Sequence, residues 1–182
     1  VITPEWMEEM LGYCQREEVG IVGAKLYYPN DTVQHAGVVI GMGADHAAGH
    51  VFYGVDRKQF TYGGRANSTQ DISAVTAACM MVKRSVHEDI GGFDENFEVA
   101  FNDVDYCLRV RELGKTIVFH GFVELYHYES RSRGLEDTPE KKERFNREAG
   151  LFRKRWKSIL DKGDPYYNPN LTLEDSNCTL KW

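Results

Sequence analysis

The chain has 182 residues, with 22 Lys and Arg against 28 Asp and Glu and a formal net charge of −6. That is long enough to bury a core of its own, and too acidic for nucleic acid to be the main partner, since phosphate binding needs a basic face. Hydrophobic content of 42% and charged content of 27% are those of a globular domain, and neither a run of about 18 apolar residues nor a signal-peptide pattern marks a membrane span or export. Cys14, Cys79, Cys107 and Cys178 lie far apart with no CxxC pair. At least the first three read as core thiols, which fits a reduced, cytoplasmic setting.

In chain order, Thr3-Pro4-Glu5 reads as a helix start: a capping hydroxyl, Pro at the first helical position, then an acid. The helix is predicted to reach about Glu18, with Trp6, Met7, Met10, Leu11 and Cys14 as its buried stripe. Residues 20–28 read as a buried strand closed by Pro29-Asn30-Asp31, and residues 33–40 as a second strand. Residues 41–70 are rich in glycine, histidine and polar residues without periodicity, the pattern of a long functional loop. It carries His46, His50, Arg57 and Arg65; the histidines lack a ligand spacing, so contact with a substrate is expected here rather than metal binding. His35, in the strand before, reads as a satisfied strand histidine. Residues 71–82 predict a strand whose small central residues, Thr76 and Ala77 among them, either let a ligand approach the backbone or simply pack. Ser85-Val86-His87-Glu88 has the capping-box pattern and opens a short helix ending at Gly91-Gly92.

The most informative stretch follows. Asn102 and Gly114 punctuate a helix, with Asp103 and Asp105 in its first turn, where unpaired N–H groups and the helix dipole favour negative charge. On spacing alone, Asp103 caps and Asp105 pairs with Arg109 at i,i+4. Residues 115–120 and 123–128 predict two short strands split by Gly121. The second carries His127 and runs into Arg131-Ser132-Arg133-Gly134, and imidazole beside guanidinium groups suits a metal-bound diphosphate. Thr138-Pro139-Glu140 starts the last long helix, 138–160. Its stripe of Phe145, Ala149, Phe152, Trp156, Ile159 and Leu160 is surrounded by Lys and Arg. Such a helix either docks on its own domain, the preferred reading, or makes a peripheral contact with an anionic membrane. Residues 163–182 read as an irregular tail.

Gly91-Gly92-Phe93-Asp94-Glu95, a short gap, then Asn102-Asp103-Val104-Asp105-Tyr106-Cys107-Leu108-Arg109 resembles the C-terminal half of a family 2 glycosyltransferase with the GT-A fold. The tail is similar to the end of bacterial polysaccharide, rhamnan-type, glycosyltransferase domains. The resemblance implies an α/β fold: an incomplete GT-A-like (Rossmann-like) mixed sheet flanked by helices, lacking the N-terminal nucleotide-binding half. Residues 1–162 would be the acceptor-side part and 163–182 the tail of a fragment inactive alone. It further implies inverting transfer of a sugar from a nucleotide-diphosphate sugar donor to a glycan or lipid-linked acceptor in cell-surface polysaccharide synthesis, by a cytoplasmic enzyme that associates with the membrane in its full-length form. Asp103 matches the family's catalytic base, although Asn102 stands where Glu is commoner. Asn102 and Asp105 would orient base and acceptor, and Thr76 and Ala77 would line the sugar pocket. His127 would complete a divalent metal (Mn or Mg) site whose Asp-x-Asp motif lies upstream, and Arg131 and Arg133 would contact the diphosphate. The alternatives are a non-catalytic carbohydrate- or partner-binding module and a metal-dependent nucleotide-sugar hydrolase.

Overall fold

The computed structural model describes residues 1–128 and 138–181. Its centre is β1 (Val19–Tyr27), buried along its whole length. A strand covered on both faces shows no polar alternation, and Val-Gly-Ile-Val-Gly-Ala-Lys-Leu-Tyr has none except Lys25. β1 pairs antiparallel with β2 (Val33–His35) and β6 (Met80–Val82), and parallel with β7 (Thr116–Tyr126), whose other edge takes the short β5 (Thr69–Asp71). A two-stranded sheet, β3 (Val38–Ile40) with β4 (Ala48–His50), stands beside it. One face of the main sheet is covered by α1 (Trp6–Cys14), where Met10 and Cys14 meet Val22, Ala24, Leu26, Val123 and Leu125. The other carries the larger core, built around α3 (Asn102–Glu112) and α4 (Pro139–Arg155) through Val104, Cys107, Leu108, Phe119 and Phe152. The architecture is the mixed α/β sheet flanked by helices that a partial GT-A-like fold would have.

Several elements differ from the sequence reading. The first helix is confined to Trp6–Cys14 and has no side-chain cap. Thr3 serves β7 instead, its hydroxyl donating to Phe122 O and accepting from Glu124 N. Met7 and Leu11 are each 54% exposed, so of the expected stripe only Met10 and Cys14 are buried, with Trp6 partly so. The predicted strand 33–40 breaks at Ala36-Gly37 into β2 and β3, which join different sheets. Residues 41–70 hold β4, a 3-10 segment over Tyr62–Asn67 and the start of β5. Residues 71–82 leave the extended conformation at a 3-10 turn, Ala77–Cys79, before β6. The short helix α2 (Arg84–Asp89) carries no side-chain cap, so the capping box is not formed. The two predicted strands around Gly121 are one strand with a bulge, where the register against β1 jumps from His120 to Glu124. Glycine is required there by crowding: a Cβ would lie 2.7 Å from Ser68 O and 2.8 Å from Ala66 O.

The C-terminal helix has its expected Thr138 cap and Pro at the start, then breaks at Trp156 before α5 (Lys157–Lys162). Beyond it the chain is irregular, as expected, yet Tyr167, Leu171 and Cys178 sit in the main core. Buried Asp164 accepts from Ile40 N and Ser73 Oγ at 2.8 and 2.7 Å. All four cysteines are free thiols.

Candidate active site

Asp103 opens α3 from an unusual approach. Phe101 holds φ 62°, ψ 3°, the left-handed region that costs a bulky residue on the order of 1 kcal/mol or more. Its ring is stacked against Phe152 at 5.1 Å and tilted against Phe145 at 5.5 Å. The amides before it are also held, because Glu148 Oε2 accepts from Ala100 N at 2.6 Å and Val99 N at 3.4 Å. Asp103 is half-buried. Its Oδ2 accepts from Ala77 N at 3.1 Å and its Oδ1 from Val104 N at 2.9 Å. Ala77 is exposed, and Thr76 closes the same turn by accepting from Ala78 N. Adjacent Thr76 and Ala77 and the distant Asp103 therefore share one solvent-facing corner. Asn102 adjoins it, its Oδ1 accepting from Asp103 N at 2.7 Å.

Asp105 does not join them, which corrects the expectation that it orients base and acceptor. It is 0% exposed. Oδ1 accepts from Arg155 Nη1 at 2.8 Å and Trp156 Nε1 at 2.9 Å, and Oδ2 from Arg109 Nε at 2.8 Å. The i,i+4 pair with Arg109 is thus real, and Arg109 also donates to Ile90 O and Gly92 O. Arg155 extends the cluster to Asp94 at 2.7 Å, and Phe93 stacks on Tyr106 at 4.4 Å. Asn96 N–H, with help from Arg155, holds the Asp94 carboxyl down at about 2. The Gly-Gly-Phe-Asp motif thus latches onto α3 through Arg109, Arg155 and Tyr106.

His127 lies just past β7, its backbone N–H donating to Tyr27 O. Nδ1 contacts Gln34 Oε1 at 2.9 Å. An amide oxygen can only accept, so Nδ1 carries the proton and Nε2 presents a lone pair, the arrangement that suits a metal ligand. Ile2 N and Thr3 N both donate to Glu124 O at 3.1 Å, which lays the first residues of the chain beside this end of β7. Among the described residues no three His, Cys, Asp or Glu side chains gather. Arg131 and Arg133 lie outside the described residues.

Two further arginines are tied into the fold. Arg57 Nη2 binds Glu124 Oε2 at 2.6 Å, and Arg65 Nη2 donates to Tyr166 O at 2.9 Å. Glu124 also takes Lys25 Nζ and Tyr27 Oη, each at 2.8 Å. Burial lowers Lys25 despite its carboxylate partner. Burial alone would raise Glu124, but Lys25, Tyr27 and Arg57 hold it below the usual range. The alternation-free β1 sequence hid this network, in which Lys25 is 1% exposed.

Sequence reasoning also missed the pairing of His35 with His50, whose Nδ1 atoms are 2.9 Å apart. His35 is 0% exposed and its Nε2 accepts from Thr76 N at 3.4 Å, so it props the corner from beneath. Burial, reinforced by His50, pushes His35 well below the ordinary imidazole range. The unfolded chain therefore takes up this proton first. Stability from a neutral His35 is complete above about pH 6.5 and declines as pH falls below it. Urea unfolding at pH 7.5 and 5.5 should show a larger loss for wild type than for His35→Gln, which keeps an acceptor but does not titrate. Equal losses would remove the assignment.

The basic helix docks its own stripe, burying Ala149, Phe152 and Trp156. Most of its cations are engaged: Arg144 with Glu148, Arg147 with Glu98, Arg153 with Asp45 O, Arg155 with two aspartates and Lys157 with Asp161. Among the described residues no helix is long and apolar enough to cross a membrane. A cleft of about 900 Å³ lies between the C-terminal half of α3, α5 and the tail, lined by Arg111, Trp156 and Leu160. It is away from Asp103 and holds none of the expected site residues.

The chain is 49% identical over 181 residues, 99% of its length, to an uncharacterised protein of Sinorhizobium fredii, of which the match covers 20%. It is 41% identical over 183 residues, its whole length, to the O-antigen biosynthesis protein RfbC of Myxococcus xanthus, covering 14% of that protein. A shorter match, 30% identical over 69 residues, covers 38% of the chain and 22% of an N-acetylglucosaminyl-diphospho-decaprenol L-rhamnosyltransferase of Mycobacterium tuberculosis. No family model matches the sequence. The chain spans between 14% and 22% of the length of these relatives, and the expected kinship with bacterial polysaccharide glycosyltransferases is present in them as a partial match.

Proposed function

We propose that the chain carries the acceptor side of an inverting family 2 glycosyltransferase, which moves a sugar from a nucleotide-diphosphate donor to a hydroxyl of a glycan or lipid-linked acceptor. The observation that carries this reading is the corner where Asp103, fixed by Ala77 N–H, faces solvent at the start of α3. Relatives named for O-antigen biosynthesis and for rhamnosyl transfer support polysaccharide synthesis as its setting.

In this reading the acceptor hydroxyl lies against the outer lone pairs of Asp103. As its oxygen attacks the anomeric carbon, the proton passes to Asp103, and the bond to the diphosphate breaks on the opposite face. The exposed 76–78 turn lets the sugar ring come close to backbone. His127 would hold a divalent ion, Mn or Mg, through Nε2, together with the upstream Asp-x-Asp that the resemblance implies. Such an ion, when bound, neutralises charge on the departing diphosphate. Ile2 N and Thr3 N donate to Glu124 O, three positions before His127. With most cations of α4 engaged internally, contact with a lipid-linked acceptor is better sought at the Asp103 corner than along the helix.

Calorimetric titration with manganese and a nucleoside diphosphate tests the reading, on this chain and on a longer chain extended upstream. Binding should require the metal, and His127→Ala should weaken it about 10- to 100-fold, the usual effect of disturbing a metal site. No binding by either chain would withdraw the catalytic assignment. A second reading is a carbohydrate- or partner-binding module of the same fold, for which the described residues gather no three metal-ligating side chains. It predicts glycan binding indifferent to both manganese and Asp103→Asn.

A further inference from the structure

We propose that Glu148 is a positioning residue for Asp103, acting through the strained Phe101. The inference rests on the transferase reading above for its kinetic consequence, and on geometry for the rest. Glu148 lies on α4, 45 positions from Asp103 by their numbers, and is 0% exposed. One of its oxygens receives two successive amides, Val99 N–H and Ala100 N–H. The other, Oε1, is buried with no hydrogen-bond partner among the described residues, and is ion-paired with Arg144 Nε only at 3.7 Å. An incompletely satisfied buried carboxylate is costly, and a left-handed phenylalanine is a second cost. Both fall in the short path that leads into Asp103.

Their connection is direct. With residues 99 and 100 tied to Glu148, and the Phe101 ring held between Phe145 and Phe152, the backbone must turn at Phe101 to begin α3. That turn aims the first helical residues at the 76–78 segment, where Asp103 meets Ala77 N. Without the carboxylate, residues 99–100 lose their anchor and Phe101 relaxes toward an ordinary φ. The start of α3 then shifts and Asp103 draws away from Ala77. Near-attack geometry is sensitive to such shifts, about 1 Å being enough for a 100-fold loss.

The test follows the Ala77 amide, which is remote from Glu148 in sequence and senses Asp103 directly. In 15N-labelled protein, Glu148→Leu should move the Ala77 resonance toward the position it takes in Asp103→Ala, while resonances of β1 and β7 stay in place. Glu148→Gln keeps a neutral acceptor for Ala100 N and should move Ala77 in the same direction by less. If the leucine variant does not fold, the glutamine variant decides alone. In transfer assays Glu148→Leu should lower kcat about 100-fold with donor KM unchanged, and Glu148→Gln should recover most of it. An unmoved Ala77 resonance, or a shift spread evenly across the sheet, would overturn the proposal. The transfer assays use the longer chain extended upstream, and absence of transfer by its wild-type form would count against the transferase reading alone, because the Ala77 resonance judges Glu148 independently.

Discussion

Asp103→Asn should lower kcat for sugar transfer by about 10²- to 10⁴-fold, the usual contribution of a positioned general base, and leave donor affinity unchanged. The substitution is close to isosteric. The carboxylate accepts from Ala77 N with Oδ2 and from Val104 N with Oδ1, at 3.1 and 2.9 Å, and the single asparagine oxygen keeps one of these two bonds. What disappears is the ability to take a proton from the acceptor hydroxyl. The side chain is half-buried at the surface, and substitutions at such places usually change stability by less than about 0.5 kcal/mol. Steady-state kinetics with varied donor and acceptor, alongside calorimetric donor binding, separate the two effects. Transfer that persists near the wild-type rate would show that another group accepts the proton, and the base assignment would fall.

How far the sequence could lead to this site is visible in the residues themselves. The ends of α3 were legible because Asn102 and Gly114 punctuate it, and the start of α4 because Thr138-Pro139 is a local signal that needs no partner. β1 was legible as a continuous apolar run. Short strands were not: β5 and β6 exist because β7 and β1 offer edges far away in sequence, and nothing in three residues announces that. The bulge at Gly121 looked like a strand break because a glycine reads as punctuation, whereas the glycine is there to admit Ala66 O and Ser68 O. His35 and His50 are 15 positions apart, a spacing that belongs to no helix or strand repeat. The Gly-Gly-Phe-Asp motif was noticed without its purpose, which depends on Arg109 and Arg155 converging on it. Asp103 and Asp105 occupy the same helical turn, and only the partners brought in by α4 and by the 76–78 turn tell one from the other.

Those partners give the second large effect: Asp105→Ala should destabilise the fold by about 3–5 kcal/mol, the range for removing one member of a buried ion cluster. Three donors lose their acceptor together. Arg109 and Arg155 are only 20% and 30% exposed; Arg109 would keep its charge with only the carbonyls of Ile90 and Gly92 as partners, and Arg155 would keep only Asp94. Trp156 Nε1, in a residue 9% exposed, would be left without its acceptor, a further desolvation cost of about 1–3 kcal/mol contained in the same range. Asp105→Asn should cost less, because an amide oxygen can still serve Trp156, though not two guanidinium groups. Asp94→Asn should cost less again, since Arg155 would keep Asp105. Urea unfolding of the three variants should give midpoints in that order, with Asp103→Asn close to wild type. If Asp105→Ala shifted the midpoint no more than Asp103→Asn, the cluster would not be what fixes α3. The expected outcome is a division between two carboxylates a single residue apart: one whose loss stops transfer in a protein that stays folded, and one whose loss unfolds the helix that carries the other.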